Sequence, residues 1–234
     1  MLLRFVTPDF SMTFTGIESF LRHYHSIRVN AMSCCVLISL VVMVDVGFLL
    51  DSSGSIVDHY QEEKEFLKKL AEYLGVGTNR GRGSVITFSL RTDFSIKLND
   101  YNNLTLFNEA VDNIPHMHSW TRIDRALRAA QSDMFTPSAG SREGVPKILV
   151  LLTDGEQTTH KGAYEDPSMI AQEIREAGIN MLVVGMGTGI NFAELESIAG
   201  TSDLVFTADT FEELISVPFV RRVSATSCEI GDCP

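Results

Sequence analysis

The sequence predicts an α/β fold: a doubly wound, mostly parallel sheet with helices on both faces and one antiparallel edge strand. Three observations point to it. From residue 44 onward, short apolar runs alternate with stretches of helical periodicity. The runs "VDVGFLL", "KILVLLT" and "INMLVVG" are apolar almost throughout rather than at every second position, the pattern of parallel strands covered on both faces. Two further runs, 83–89 and 92–98, lie close enough in sequence to form a hairpin.

The elements follow in order. "VDVGFLL" is a short buried strand. "DHYQEEKEFLKKLAEYL", 58–74, is a helix with Phe66, Leu67, Leu70, Tyr73 and Leu74 on one face and Asp58 available to cap it. "GSVITFS" and "TDFSIKL" are the hairpin strands, and "NLTLFNEAVDNI" is a short helix. "TRIDRALRAAQSDMF", 121–135, is a stronger helix, striped by Ile123, Ala126, Leu127, Ala130 and Met134. "TPSAGSREGVP", 136–146, is a loop. "PKILVLLTDG" is a fully apolar strand with Asp154 after its end. "DPSMIAQEIREAG" is a helix with Pro167 near its start and Gly178 as a stop. The strand "INMLVVGMG", the helix "NFAELESIAG", the strand "DLVFTA" and the helix "TFEELISV" complete the alternation.

A chain of 234 residues suits one domain with extensions. We divide it into an N-terminal extension 1–43, a domain 44–222 and a cysteine-containing tail 223–234, which reads as the opening of a further module. The extension contains the apolar run 34–44, which fits an anchor, an uncleaved signal or a mis-joined segment. Membrane association is expected only if that run is an anchor. The net charge of −11, with no basic block, argues against nucleic-acid binding, which rests on phosphate neutralisation. The four cysteines, Cys34, Cys35, Cys228 and Cys233, bracket the domain and show no zinc-ligand spacing. A disulfide between the two pairs would tie the domain ends together and place the protein in an oxidising, extracellular compartment. Four free thiols are the alternative. Asn103-Leu104-Thr105 is a glycosylation sequon.

The most specific stretch is "VGFLLDSSGSI". A buried strand ends at Asp51, and hydroxyls follow at Ser53 and Ser55. In a parallel α/β sheet ligands sit beyond the carboxyl ends of the strands, so Asp51 and Asp154 belong on one rim. Two carboxylates among several hydroxyls suit a hard divalent cation: the acids supply charge, and neutral oxygens complete the shell. Thr121, at the start of its helix, is a further oxygen on that rim.

"DSSGS", then "SWTRIDRAL", then "TDG" after an apolar strand, resembles the von Willebrand factor A domain, also called the integrin I domain, over about 44–222. The flanks "VGFLLDSSGSI" and "KILVLLTDG" are similar to matrilins and the A domains of collagens. The resemblance implies a metal-ion-dependent adhesion site made by Asp51, Ser53, Ser55, Thr121 and Asp154, holding one Mg²⁺ or Mn²⁺. It implies a binding module of an extracellular matrix or cell-surface protein, whose partner, collagen-like or other, presents an Asp or Glu to the metal. Two residues depart from the pattern. Trp120 stands where a small residue is common, which makes the rim bulkier. Pro218 falls in the expected final helix and interrupts its hydrogen-bond ladder, which puts the helix-sliding switch of integrin I domains in doubt.

Each residue also has a plainer reading. Asp51 and Ser53 alone would be turn caps, Asp154 a solvated turn acid and Thr121 a helix cap. Glu156 reads as solvated, His116 and His118 as an exposed loop rather than zinc ligands, and Arg221-Arg222 as a solvated helix end. "GMGTG", 185–189, lacks the third glycine of a dinucleotide turn and reads as a plain turn. A metal-dependent phosphohydrolase is the enzymatic rival. Its usual acid–base Asp, two residues after the first, is Ser53 here, and no Lys occupies an evident phosphate slot, so we expect no enzymatic activity. Matrix assembly with a secondary metal role is the structural alternative.

Overall fold

The computed structural model describes the backbone of residues 43–230 and side chains through Ser227. Cys34, Cys35 and Cys233, the side chain of Cys228 and the apolar run up to residue 42 lie outside these described positions. Six strands form one sheet: β1 Val44–Asp51, β2 Gly81–Phe88, β3 Thr92–Ile96, β4 Lys147–Thr153, β5 Ile179–Met186 and β6 Val205–Ala208. Their order is β3-β2-β1-β4-β5-β6. Only the β2–β3 pair is antiparallel, at the edge; the others are parallel. The winding direction reverses between β1 and β4, so a crevice opens where these two strands end. Asp51 and Asp154 stand at those two ends.

Helices cover both faces. α1 (Tyr60–Tyr73), α2 (Leu104–Asp112), the one-turn α6 (Phe211–Leu214) and α7 (Val217–Ile230) lie on one side. There Phe66, Leu67 and Leu70 join Val46, Phe48 and Leu50 in one core. α3 (Ile123–Ala129), α4 (Pro167–Glu176) and α5 (Phe192–Ala199) lie on the other, where Ile170, Ala171 and Ile174 meet Leu49 and Leu151. β1 serves both cores because successive side chains point to opposite faces. Gly47 faces the second layer, where a Cβ would stand 2.0 Å from Met134 Sδ. A larger residue there would displace the Met134 side chain.

Side-chain capping sets several helix starts. Asn103 accepts from Thr105 N at 2.8 Å to begin α2, and Asp166 accepts from Ser168 N at 2.9 Å to begin α4. Gly200, at φ +90°, ends α5 in the left-handed region. The loop 136–146 carries a 3₁₀ turn, Pro137–Ala139, and a clamp on the sheet. The Arg142 Nε donates to Asp45 Oδ1 at 2.8 Å and its backbone N to Oδ2 at 2.7 Å. This neutralises an acid wholly buried at the start of β1.

Three sequence expectations need correction. Asp58 does not cap α1: the helix starts at Tyr60 behind His59, with no side-chain cap. The helix expected over 121–135 starts at Ile123 and turns into a π-helical segment at Ala130–Met134, so Thr121 precedes it by two residues. Pro218 does not interrupt the final helix. It lies in the first turn of α7, where its missing N–H has no helical partner to lose. The boundary drawn at 222 falls inside α7, which continues to Ile230.

Candidate metal-binding site

The loop after β1 turns over the end of the sheet. Ser52 N donates to Phe88 O at 2.7 Å, and Gly54 N to Ser119 O at 2.7 Å, so the loop is held between β2 and the segment before α3. Asp51 is fully buried and fixed from two sides. Its Oδ1 accepts from Ser53 N at 2.8 Å and its Oδ2 from Thr153 Oγ1 at 2.7 Å. The second of these bonds ties the end of β1 to the end of β4.

Three of the expected oxygens form a chain. Ser53 Oγ and Ser55 Oγ are 3.0 Å apart, and Ser55 Oγ donates to Asp154 Oδ1 at 2.9 Å. Thr121 borders the same turn: a Cβ on Gly155 would stand 3.7 Å from Thr121 Oγ1. Thr158 N donates to Thr121 O at 2.9 Å, joining this segment to the loop after β4. The structure therefore brings Ser53, Ser55 and Asp154 into contact, sets Asp51 beneath them and places Thr121 alongside.

The rim is electrostatically unbalanced. Burial, then the neighbouring Asp154 charge, outweighs the hydrogen bonds to Asp51 and pushes its carboxyl up to about 7. Burial also raises Asp154. Among the described residues no Lys or Arg forms an ion pair with either acid. The oxygens suit a cation. Ligands at about 2.1 Å in cis positions of an octahedron are separated by about 3.0 Å, the spacing of the Ser53–Ser55 and Ser55–Asp154 contacts. No cluster of three His, Cys, Asp or Glu residues suited to a metal occurs among the described residues; the oxygens here come from two acids and three hydroxyls.

The surroundings differ from expectation at the histidines. His116 is not an exposed loop residue. It is half-buried, and its Nε2 contacts Ser53 O at 2.8 Å, within the loop itself. His118 is exposed, at φ +52°, with its ring 3.9 Å from that of His116. Trp120 is 46% exposed, with Lys161 Nζ 4.2 Å from its ring centroid. Glu156 is solvated, and "GMGTG" forms a turn with Gly187 at φ +81°.

Two features escaped the sequence reading. Arg122 is a wholly buried guanidinium whose Nε and Nη2 donate to the Asp124 carboxylate at 2.8 and 2.6 Å. It also reaches Lys161 O and Ala163 O, at 3.2 and 2.7 Å, while Gln157 Nε2 donates to Asp124 at 3.0 Å. This cluster fastens the residue after Thr121 to the loop after Asp154. The second is Glu63, fully buried on α1 with no hydrogen-bond partner for either carboxylate oxygen. Its position was visible in the sequence: 63, 66, 67 and 70 form a helical stripe otherwise made of Phe and Leu.

Comparison with known proteins agrees with this architecture. The family model of the von Willebrand factor type A domain matches residues 45–218. The chain is 31% identical over 171 residues to the Collagen alpha-6(VI) chain of Homo sapiens, covering 73% of this chain and 7% of that protein. It is 34% identical over 157 residues to von Willebrand factor A domain-containing protein 1 of Bos taurus, covering 66% and 36%. It is 27% identical over 201 residues to Matrilin-3 of Gallus gallus, covering 81% and 43%. A solved structure of proximal thread matrix protein 1 from the mussel byssus, described with a zinc-occupied MIDAS motif, superposes with a TM-score of 0.71. It shares 28% identity and covers 80% of this chain and 46% of that one. The chain thus spans less than half the length of each of these relatives.

Proposed function

The chain belongs to the von Willebrand factor type A domain family, and from that premise we propose that it is a metal-ion-dependent protein-binding module of an extracellular matrix or cell-surface protein. Asp51, Ser53, Ser55, Thr121 and Asp154 would hold one Mg²⁺ or Mn²⁺. Bound there, the cation would offer an electrophilic position to a hard oxygen donor, such as an Asp or Glu side chain of a partner. The observation that carries this reading is the chain of oxygens from Ser53 through Ser55 to Asp154, spaced at 3.0 and 2.9 Å as cis ligands of a small dication would be.

The residues divide the work. Asp51, held by Thr153 and by the backbone of Ser53, supplies charge beneath the rim. The hydroxyls of Ser53, Ser55 and Thr121 supply neutral oxygens, so no more than two carboxylates would meet the dication directly, and a coordination position would be left for an outside oxygen donor. Trp120, with the Lys161 ammonium above its ring, borders the site and would contribute to partner selectivity. The extracellular setting of the matrix relatives suits a disulfide between the Cys34–Cys35 and Cys228–Cys233 pairs, which non-reducing peptide mapping of secreted protein would reveal. No helix among the described residues is long and apolar enough to cross a membrane.

The test is binding of the purified domain to a fractionated extracellular-matrix extract, in Mg²⁺ and in EDTA. Binding lost in EDTA and regained on adding Mg²⁺ is expected. Binding indifferent to EDTA would move the adhesive surface away from this rim and favour a structural-assembly role.

A further inference from the structure

Glu63 lies in the first turn of α1, directly after the loop that carries Ser53 and Ser55. It occupies the core-facing stripe with Phe66, Leu67 and Leu70, all of them solvent-inaccessible. A carboxylate with both oxygens buried and unbonded is unfavourable unless another charge compensates.

The cationic groups nearby do not compensate it. Lys64, adjacent on α1, directs its ammonium to the carbonyls of Asp112 and Ile114 at 2.9 and 3.5 Å. His59, one turn earlier, is stacked on Phe211 at 3.8 Å and lies 3.8 Å from the Glu62 carboxylate. The charges Glu63 does feel are like its own. Its carboxyl is raised well above the ordinary range by burial first, then by Asp51 and by Asp154. The rim therefore groups three acids, Asp154 at its edge, Asp51 buried beneath it and Glu63 behind, whose negative charges oppose one another when ionised.

We propose that Glu63 is a positioning residue for the metal rim, a third carboxylate whose buried charge is compensated by the bound cation and in turn tightens its binding. The inference rests on the reading of the rim as a cation site. A dication relieves the repulsion between Asp51 and Asp154 and gives the Glu63 charge an opposite partner. Reciprocity then requires that an ionised Glu63 favour the cation. Through protein, a unit charge acting on a dication several ångströms away changes affinity by about tenfold or more.

The experiment uses Mg²⁺ alone as the probe, with calorimetric titration and thermal unfolding of the wild type, Asp51→Ala, Glu63→Gln and Glu63→Met. Both Glu63 variants are expected to weaken Mg²⁺ binding about tenfold. They should also unfold in EDTA at the wild-type temperature or above it, and gain less from added Mg²⁺. A purely structural Glu63 would instead lower the unfolding temperature equally with and without Mg²⁺ and leave the affinity alone. Affinity within twofold of wild type in both Glu63 variants, while Asp51→Ala abolishes binding, would overturn the proposal and leave the rim reading standing. A wild type that binds no Mg²⁺ would remove the rim reading and this inference with it.

Discussion

The Ser55 hydroxyl donates to the Asp154 carboxylate at 2.9 Å although 99 residues of chain separate them. The loop after β1 and the loop after β4 meet because those strands are neighbours at the reversal of winding. The contact has two consequences. It sets a hydroxyl and a carboxylate oxygen at the spacing that adjacent ligands of a small cation would have, and it makes Ser55 part of the Asp154 hydrogen-bond shell.

Ser55→Ala is therefore expected to lower Mg²⁺ affinity by a factor of ten or more while leaving the sheet folded. Without metal it removes one partly exposed hydrogen bond, worth about 1 kcal/mol. Calorimetric titration with Mg²⁺, alongside far-ultraviolet circular dichroism, separates the two effects. Unchanged affinity would remove Ser55 from the ligand set.

The metal-free domain is expected to lose stability as pH rises. Burial holds the Asp51 carboxyl at about 7 against its ordinary 3.8, so between these values the folded state binds a proton that the unfolded state has released. That contribution is fully present below about pH 4 and lost as pH climbs through 7. It amounts to on the order of 4 kcal/mol in all, about 2 kcal/mol of it between pH 5.5 and pH 8. A bound cation favours the ionised acid, so Mg²⁺ should raise the unfolding temperature far more at pH 8 than at pH 5.5. Urea titrations in EDTA at the two pH values give the size. Asp51→Asn, which cannot ionise, should reduce the dependence to the part that the raised carboxyls of Asp154 and Glu63 contribute.

The fold was legible because its signals are local. The apolar runs in β1, β4 and β5 could only be strands covered on both faces, and Asp51 and Asp154 followed from where such strands end. The short return from Phe88 to Thr92 fixed the antiparallel edge. What stayed hidden depends on tertiary contacts. Asp58 looks like a cap, yet the loop makes an extra turn before α1 and leaves it outside. Pro218 reads as a helix breaker only if a full turn of helix precedes it, whereas α7 starts at Val217, where Phe219, Val220 and Val223 are buried in the α1-side core. Arg122 and Asp124, two residues apart, read as surface charges, because nothing local says that the loop after β4 folds over them. His116 reaches Ser53 from 63 residues away. Glu63 was the legible exception, an acid on an apolar stripe.

Breaking the buried pair should be costly and should act on the rim from a distance. Arg122→Met leaves Asp124 buried at 4% exposure without its guanidinium partner. Loss of one member of such a pair costs about 3–5 kcal/mol. Arg122→Lys keeps the charge but cannot make the two parallel bonds to Asp124 or reach both Lys161 O and Ala163 O, so it should recover only part of that. Urea unfolding measures the cost. Backbone hydrogen exchange in the loop 155–165 should quicken in both variants, because Arg122, Asp124 and Gln157 hold that loop down.

Thr121 should matter more for partner binding than for folding. It does not cap α3: Arg122 occupies the N-cap position, and no side chain caps the helix there. Its backbone carbonyl, which accepts from Thr158 N at 2.9 Å, survives any side-chain substitution. Thr121→Ala therefore removes a hydroxyl beside Gly155 and little else, with an expected stability loss of 1 kcal/mol or less. If that hydroxyl is a metal ligand, its removal lowers both cation affinity and partner affinity, and Thr121→Ser, which retains the oxygen, restores most of each. Surface plasmon resonance against the matrix fraction that binds the wild type in Mg²⁺ provides the comparison. The expected order is wild type, then Thr121→Ser, then Thr121→Ala, with all three reduced to background in EDTA. Equal binding by Thr121→Ala and wild type in Mg²⁺ would take Thr121 out of the ligand set and leave the cation to Asp51, Ser53, Ser55 and Asp154.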